Sequence, residues 1–309
     1  MEEAREEPAA TRAGIVALAG RPNVGKSTLL NALVGEKLAI VTPRPQTTRE
    51  PVRGILTRPD AQIIFVDTPG LMEPQYLLHR SMRFEAETAL ADADAILLML
   101  DATRPSEVPP ADVVPMFTTR RNRVVVAINK LDASRSDALR AHTAWAEREL
   151  AIEPLYISAT AEEGLDVLLG RLIALLPESP FLYPEDDLAV QPVRFFVAEL
   201  VRETILEQYE QEIPYSATVR IEDYRESGDP VYVRAVIYVE RKSQKGILIG
   251  AGGAALKQLG TRAREKIEAF TGERVYLDLW VKVLPGWRRK PSALKYLGYA
   301  VPPDFETNG

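Results

Sequence analysis

The sequence predicts an α/β domain, a mostly parallel sheet with helices on both faces, followed by a smaller α+β domain. Three observations lead there. Short apolar runs alternate with amphipathic stretches through the first half, a Pro-rich acidic connector interrupts that pattern, and strands of strict alternation follow it.

The runs Ile15–Ala19, Ile63–Val66, Ala95–Leu100, Val124–Ile128 and Leu155–Ile157 are rich in Ile, Val and Leu, as strands buried on both faces require. Helical patterns over Lys26–Val34, Gln75–Ala91, Pro110–Arg121, Ser136–Leu150 and Leu165–Leu176 separate them. This alternation argues for a parallel sheet wrapped by helices, with Val52–Thr57 as an edge strand. The connector holds Pro177-Glu178-Ser179-Pro180 and Pro184-Glu185-Asp186-Asp187, which cannot continue a helix and should bury little. Beyond it the pattern predicts a helix over Pro192–Gln211 and strands over Ser216–Tyr224 and Val231–Glu240, joined by a Ser227-Gly228-Asp229 turn. A Gly-rich loop between helical segments follows, then a strand at Arg274–Val283. There Val275, Leu277, Leu279, Val281 and Val283 share one face, and Tyr276, Asp278, Trp280 and Lys282 the other, so one face packs and one is exposed. The expected division is a disordered tail at 1–13, a first domain at 14–177, a linker at 178–191, a second domain at 192–300 and a tail at 301–309.

Composition narrows the chemistry. Apolar residues at 46% and charged residues at 27% are the balance of a soluble globular protein. No apolar run reaches the roughly 18 residues of a membrane-spanning helix, and the acidic start is unlike a signal peptide. The chain has no cysteine, which excludes disulfide partners, thiolate metal sites and cysteine nucleophiles. Its two histidines, His79 and His142, lie in helical patterns and read as packing or surface residues. The net charge of −6 hides an uneven distribution: Arg241–Lys290 carries twelve Lys/Arg against four Asp/Glu. An acidic front and a basic rear suggest two domains with different partners.

The strongest local signal is Gly20-Arg21-Pro22-Asn23-Val24-Gly25-Lys26-Ser27, a phosphate-binding loop with a buried strand before it and a helix after it. The glycines let successive amides turn toward phosphate oxygens, and the helix adds its positive end. Lys26 reaches the outer phosphates and the Ser27 hydroxyl takes Mg²⁺. Asp67-Thr68-Pro69-Gly70 ends a buried strand, where Asp67 faces the ligand crevice; it can hold Mg²⁺ through water while the Gly70 amide senses the γ-phosphate. Asn129-Lys130-Leu131-Asp132 ends a later strand. Its Asp132 carboxylate can accept the ring N–H and the exocyclic amine of guanine together, a pairing adenine cannot offer. Asn129 and the Lys130 stem brace that loop, and Ser158-Ala159-Thr160 should offer a backbone amide to the guanine carbonyl. In Gln46-Thr47-Thr48-Arg49 a threonine, Thr48 in preference to Thr47, can ligate Mg²⁺ only while the γ-phosphate holds its loop. GTP or GDP with Mg²⁺ is therefore the expected ligand.

The combination of that loop with Pro-Gln-Thr-Thr-Arg and Asp-Thr-Pro-Gly-Leu resembles the translation-factor-related GTPases, and within them the Era family. The resemblance assigns phosphate contacts to Asn23–Thr28, with Thr28 closing the loop, Mg²⁺ to Ser27 and Thr48, and guanine to Asn129, Lys130 and Asp132. One position departs from the usual GTPase pattern: Leu71 stands where many carry a water-orienting Gln. Catalysis then falls to Lys26, Thr48 and charge neutralisation. Asn23 is either a K⁺ ligand, as in similar GTPases, or a turn residue tolerant of left-handed geometry.

In the rear domain Ile249-Gly250-Ala251-Gly252-Gly253 lies between two helical segments, flanked by Lys245 and Lys257. Ile-Gly-x-x-Gly in helix–strand–strand–helix–helix–strand order is the KH signature, whose loop clamps the backbone of about four nucleotides. This part also resembles the Era family, in Arg241-Lys242-Ser243-Gln244-Lys245-Gly246, in Leu279-Trp280-Val281-Lys282-Val283 and in Gly286-Trp287, so that the likeness spans about residues 14–300. It implies a P-loop GTPase domain followed by a type II KH domain that binds single-stranded RNA, not DNA, near the 3′ end of small-subunit rRNA. Family members often carry a Lys or other polar residue inside the loop; Ala251-Gly252 adds no charge. Trp280 and Trp287 read as packing residues before base-stacking ones.

The leading expectation is a cytoplasmic GTPase that times RNA binding on the pre-30S particle. A non-catalytic RNA-binding assembly factor with GTP as a structural ligand is the alternative. A peripheral association with the inner face of the cell membrane is left open, although no basic amphipathic helix is evident.

Overall fold

The computed structural model describes residues 11–305, which form two compact units. The first comprises the chain up to Ala39, Thr48–Met72 and Glu85–Val190. The second comprises Ile40–Thr47, Glu73–Phe84 and the chain from Gln191 onward. Residues 1–10 and 306–309, most of the first expected tail and part of the second, lie outside the described residues.

In the first unit, β1 (Arg12–Gly20), β2 (Val52–Thr57), β3 (Ala61–Asp67), β4 (Ala95–Asp101), β5 (Val124–Asn129) and β6 (Leu155–Tyr156) form one sheet in the order β2-β3-β1-β4-β5-β6. Only β2 runs antiparallel, at an edge. β3, β4 and β5 are buried along their whole length, which is why their sequences lack a polar alternation. Since β1 pairs with both β3 and β4, the strand order reverses around it, and the crevice beyond its carboxyl end is the place for a ligand.

The helices are α1 (Lys26–Val34), α2 (Leu77–Asp92), α3 (Val114–Thr118), α4 (Ser136–Leu150) and α5 (Leu165–Ile173). The helix expected over Pro110–Arg121 shrinks to α3, because Pro110 and Pro115 have no N–H to continue a ladder. The connector does not lie bare. Gln62, fully buried, accepts the N–H groups of Leu182 and Tyr183 and donates to the Tyr183 carbonyl. Ile55 N–H donates to Leu188 O at 2.9 Å and Val190 N–H to Arg53 O at 3.2 Å, so the acidic stretch covers the open edge of β2. β1 starts at Arg12, two residues before the domain start read from sequence.

The second unit holds α6 (Val193–Gln208), α7 (Ile213–Ser216), β7 (Thr218–Arg225), β8 (Val231–Val239), α8 (Lys242–Ile249), α9 (Ala254–Thr271), β9 (Val275–Val283) and α10 (Pro291–Leu297). β8 is central, with β7 antiparallel and β9 parallel to it. Helix α6 stops three residues short of the expected Gln211, and a single turn at α7, led by Pro214, delays the next strand to Thr218. Val275 and Val281 of β9 pack into the core with Val201, Leu259 and Ile267. On its other face Tyr276 and Trp280 are 60% and 54% exposed. Trp280 is thus not a packing residue. Trp287 is one: it is fully buried, and its Nε1 donates to Ser216 O at 2.9 Å. Both histidines are buried too, His142 against the Asp101 and Arg104 carbonyls. No helix among the described residues is long and apolar enough to cross a membrane.

Candidate nucleotide and RNA sites

The phosphate loop leaves the end of β1 and enters α1, whose first turn carries neither an acidic residue nor a side-chain cap. Its amides are therefore available to an anion. Two glycines are demanded by close approach: a Cβ on Gly25 would lie 2.3 Å from the Asn129 amide nitrogen, and one on Gly70 would lie 2.6 Å from the Pro22 nitrogen. Asn23 adopts a left-handed φ of 65°, a geometry Asn tolerates better than most residues. Lys26 is buried, and its Nζ donates to the Gly20 and Arg21 carbonyls at 3.2 and 3.1 Å. Burial pushes its pKa down to about 8, against the attraction of Asp67.

Three sequence-predicted metal residues meet beside it. Ser27 Oγ donates to Asp67 Oδ2 at 2.6 Å, Thr48 Oγ1 donates to the same oxygen at 3.1 Å, and the two hydroxyls are 3.2 Å apart. Asp67 Oδ1 is buried with no hydrogen-bond partner among the described residues. Burial raises the Asp67 carboxyl above its ordinary range, opposed by the Lys26 charge and the two hydroxyl bonds. A buried carboxylate oxygen without a partner, next to two hydroxyls, fits a hard cation such as Mg²⁺.

The residues expected to recognise the base converge from two loops. Asn129 Oδ1 accepts the Ala159 N–H at 3.0 Å, so the amide expected to face the guanine carbonyl is engaged by Asn129 here. Ser158 Oγ donates to Asp132 Oδ1 and accepts the Ala161 N–H at 3.1 Å, which orients the Asp132 carboxylate. Lys130, at a left-handed φ of 68°, bonds Asp101 Oδ2 at 2.6 Å. Burial alone would raise the Asp101 carboxyl, but hydrogen bonds from Lys130 and Thr103 outweigh it and hold the group below its ordinary range. Sequence reasoning missed Asp101; its position at the carboxyl end of a buried strand was the available signal. Leu131 N–H donates to Ile157 O, and Thr68 Oγ1 to Leu18 O, so both serve as braces. Leu71 is 1% exposed in the core, its N–H on the Gly20 carbonyl. A buried side chain there cannot hold water.

In the second unit Gly250, Gly252 and Gly253 all have positive φ, and a Cβ on Gly250 would lie 2.7 Å from that of Ala255. Helix α9 starts from Gly253 without a side-chain cap, leaving its first amides for a phosphate. A cleft of about 560 Å³ opens between α9 and β9, lined by Gly253, Lys257, Thr261, Arg264, Tyr276 and Leu279 among others. Lys257 is there as expected. Lys245, Gly250, Ala251 and Gly252 do not line it. Thr261 and Arg264 were missed, although they follow Lys257 at helical spacing.

Comparison with known proteins agrees with this geometry. The family model described as 50S ribosome-binding GTPase matches residues 15–130, and the KH domain model matches residues 212–288. GTPase Era from Carboxydothermus hydrogenoformans is 41% identical, covering 93% of this chain and 98% of that protein. GTPase Era from Lacticaseibacillus paracasei is 44% identical, with 93% and 96% covered. Among solved structures, a variant of Aquifex aeolicus Era bound to GDP.AlF4- is 39% identical with a TM-score of 0.86, covering 94% of this chain and all of that one. Era in complex with MgGDPNP and nucleotides 1506–1542 of 16S ribosomal RNA is 38% identical with a TM-score of 0.88 and the same coverage. The non-catalytic alternative is not favoured by relatives that are GTPases. A phosphate loop with a hydroxyl–carboxylate cluster beside it, a KH module after it and likeness over almost the whole length lead to one statement: the chain belongs to the Era family of GTPases.

Proposed function

We propose that this GTPase binds the 3′-terminal region of small-subunit rRNA on the pre-30S particle in the cytoplasm, and that its nucleotide state times that association. The observation that carries the nucleotide half is the meeting of Ser27, Thr48 and the partnerless Asp67 oxygen. The α9–β9 cleft and the basic stretch Arg241–Lys290 support the RNA half, as does a relative solved with 16S rRNA nucleotides.

The chain's own residues act as follows. Amides of Asn23–Thr28 wrap the phosphates, and Lys26, held by two carbonyls, takes up its full charge when they arrive. Ser27, Thr48 and Asp67 would hold Mg²⁺, which supplies charge neutralisation at the transferred phosphoryl group. Asp132, aimed by Ser158, accepts the two N–H groups of guanine. Gly70, pressed against Pro22, reports the γ-phosphate through its amide. With Leu71 buried, stabilisation of developing charge does more of the work than orientation of water. On the RNA side the Gly250–Gly253 loop takes the phosphodiester, and Lys245 and Lys257 add charge beside it.

Phosphate release from GTP and from ATP, together with binding of an RNA spanning 16S nucleotides 1506–1542, tests this function. Release from GTP alone and RNA binding lost in high salt are expected. Equal turnover of ATP, or an RNA affinity no greater than for DNA of the same sequence, would sink it.

A further inference from the structure

We propose that Arg202 is a positioning residue for Thr48, and that α6 carries nucleotide state from there to the Gly250–Gly253 loop. The inference rests on the nucleotide-timed RNA binding proposed above and names the part that transmits it. Arg202 is a charged side chain only 2% exposed. Its Nε donates to Glu199 Oε1 at 2.7 Å, and its Nη2 donates both to Glu199 Oε2 and to the Thr47 carbonyl. The guanidinium is thus aimed by Glu199, one turn back on the same helix, at the backbone of the residue that precedes Thr48. Burying a charge to hold a loop carbonyl is costly unless the geometry is specific. The same segment has a second side-chain bond, at Gln46. His79 Nδ1 accepts the Gln75 N–H at 3.3 Å, which leaves Nε2 as the donor to Gln46 Oε1 at 3.1 Å.

The far end of α6 grips the RNA loop. Tyr209 OH donates to Leu248 O at 3.0 Å and Gln208 Nε2 to Ala255 O at 3.1 Å. Those carbonyls stand two residues before and two residues after Gly250–Gly253. Between the two ends, Glu203, 1% exposed, binds Lys266 of α9 at 2.7 Å. From Arg202 to Gln208 is about 9 Å of helix, and Tyr209 follows directly. A rigid element with a polar grip at each end is what coupling between sites requires, and coupling energies are its proof.

The test uses full-length protein, with the RNA of 16S nucleotides 1506–1542 as probe. In Arg202→Ala the preference for a GTP analogue over GDP falls at least about fivefold. The Mg²⁺ concentration for half-maximal hydrolysis rises, while GDP affinity stays. Arg202→Lys, which keeps one donor for the Thr47 carbonyl but no fork, restores part of both. Glu199→Gln, which leaves the helix packing intact, moves the same readings less far. Because Arg202 acts through Thr48, the double variant Arg202→Ala/Thr48→Ala is no worse than Thr48→Ala alone. A merely structural arginine would lower melting temperature and both nucleotide affinities together. Additive losses in the double variant, or an unchanged Mg²⁺ dependence in Arg202→Ala, overturn the positioning role. Tyr209→Phe reduces the nucleotide dependence of RNA affinity without altering nucleotide affinity in RNA-free protein; an unaltered dependence removes α6 from the coupling. Equal wild-type RNA affinity in both nucleotide states defeats the timing function and the α6 strut together, whereas the Mg²⁺ reading still decides Arg202.

Discussion

Asn129 ties the phosphate loop to the base-reading loops through Val24: its Nδ2 donates to the Val24 carbonyl at 2.8 Å while its Oδ1 holds Ala159. Both bonds are buried. Asn129→Ala strands a buried carbonyl and a buried N–H, at about 1–3 kcal/mol each. Affinity for GTP and for GDP will fall together by roughly 30-fold or more, about 2 kcal/mol. Titration calorimetry with both nucleotides reads this, and a loss confined to GTP would contradict the bracing role.

Asp132 is expected to read guanine through two accepted hydrogen bonds. In Asp132→Asn the new amide donates where the exocyclic amine of guanine also donates, so GTP affinity will drop at least about 100-fold. Xanthosine nucleotides, which offer an acceptor there, will bind the variant better than GTP does. Equal wild-type affinity for ATP and GTP would remove the guanine assignment.

Lys26 makes nucleotide binding depend on pH. Its pKa is pushed down to about 8 by burial, and phosphates nearby favour the charged form. Above about pH 8 the free protein has lost a proton that the complex retains, so binding takes one up and affinity falls as pH rises. The GDP dissociation constant will increase roughly eightfold between pH 7.5 and 9. In Lys26→Arg, charged throughout, that slope disappears; a slope surviving there belongs to another group.

The first unit was legible because buried parallel strands leave long Ile/Val/Leu runs, and because phosphate and guanine loops use short motifs at strand ends. Asp101, Arg202 and the bonding of Gln62 to the connector were not. Each depends on a partner that only the fold brings near: Lys130, the Thr47 backbone and Tyr183. Periodicity also could not say that Trp280 is bare and Trp287 covered, since that depends on where α10 and the chain after β9 come to lie. The membership of Ile40–Thr47 and Glu73–Phe84 in the second unit left no trace in composition either, for contacts distant in sequence have no local pattern.

Leu71, buried and bonded through its N–H to Gly20, cannot orient the attacking water, so more of the catalysis rests on stabilising transition-state charge. Asn23, at a left-handed φ in the phosphate loop, is either a turn residue or a K⁺ ligand, and we propose the K⁺ role. Hydrolysis will then be faster in K⁺ than in Na⁺, and Asn23→Ala will remove the difference while keeping nucleotide binding. Matching rates in the two salts would leave Asn23 as a turn residue only.

The RNA loop and the RNA cleft make separable contributions. Ala251 is exposed and lies inside Gly250–Gly253, so Ala251→Asp places a negative charge where a phosphate should sit against the uncapped start of α9. RNA affinity will fall at every salt concentration, most steeply at low salt, where repulsion is least screened. Arg264 lines the cleft nearly three turns into α9, and Arg264→Ala removes one cation without adding repulsion. If Arg264 neutralises a phosphate, the slope of log affinity against log salt will become shallower by about 0.7 for a single-stranded RNA. If it stacks on a base instead, affinity will fall with the slope unchanged. In both variants nucleotide affinity without RNA stays as in wild type, because neither residue belongs to the phosphate or guanine loops. An Ala251→Asp protein that binds RNA normally would mean that the Gly-rich loop does not hold the backbone, and that the cleft does so alone.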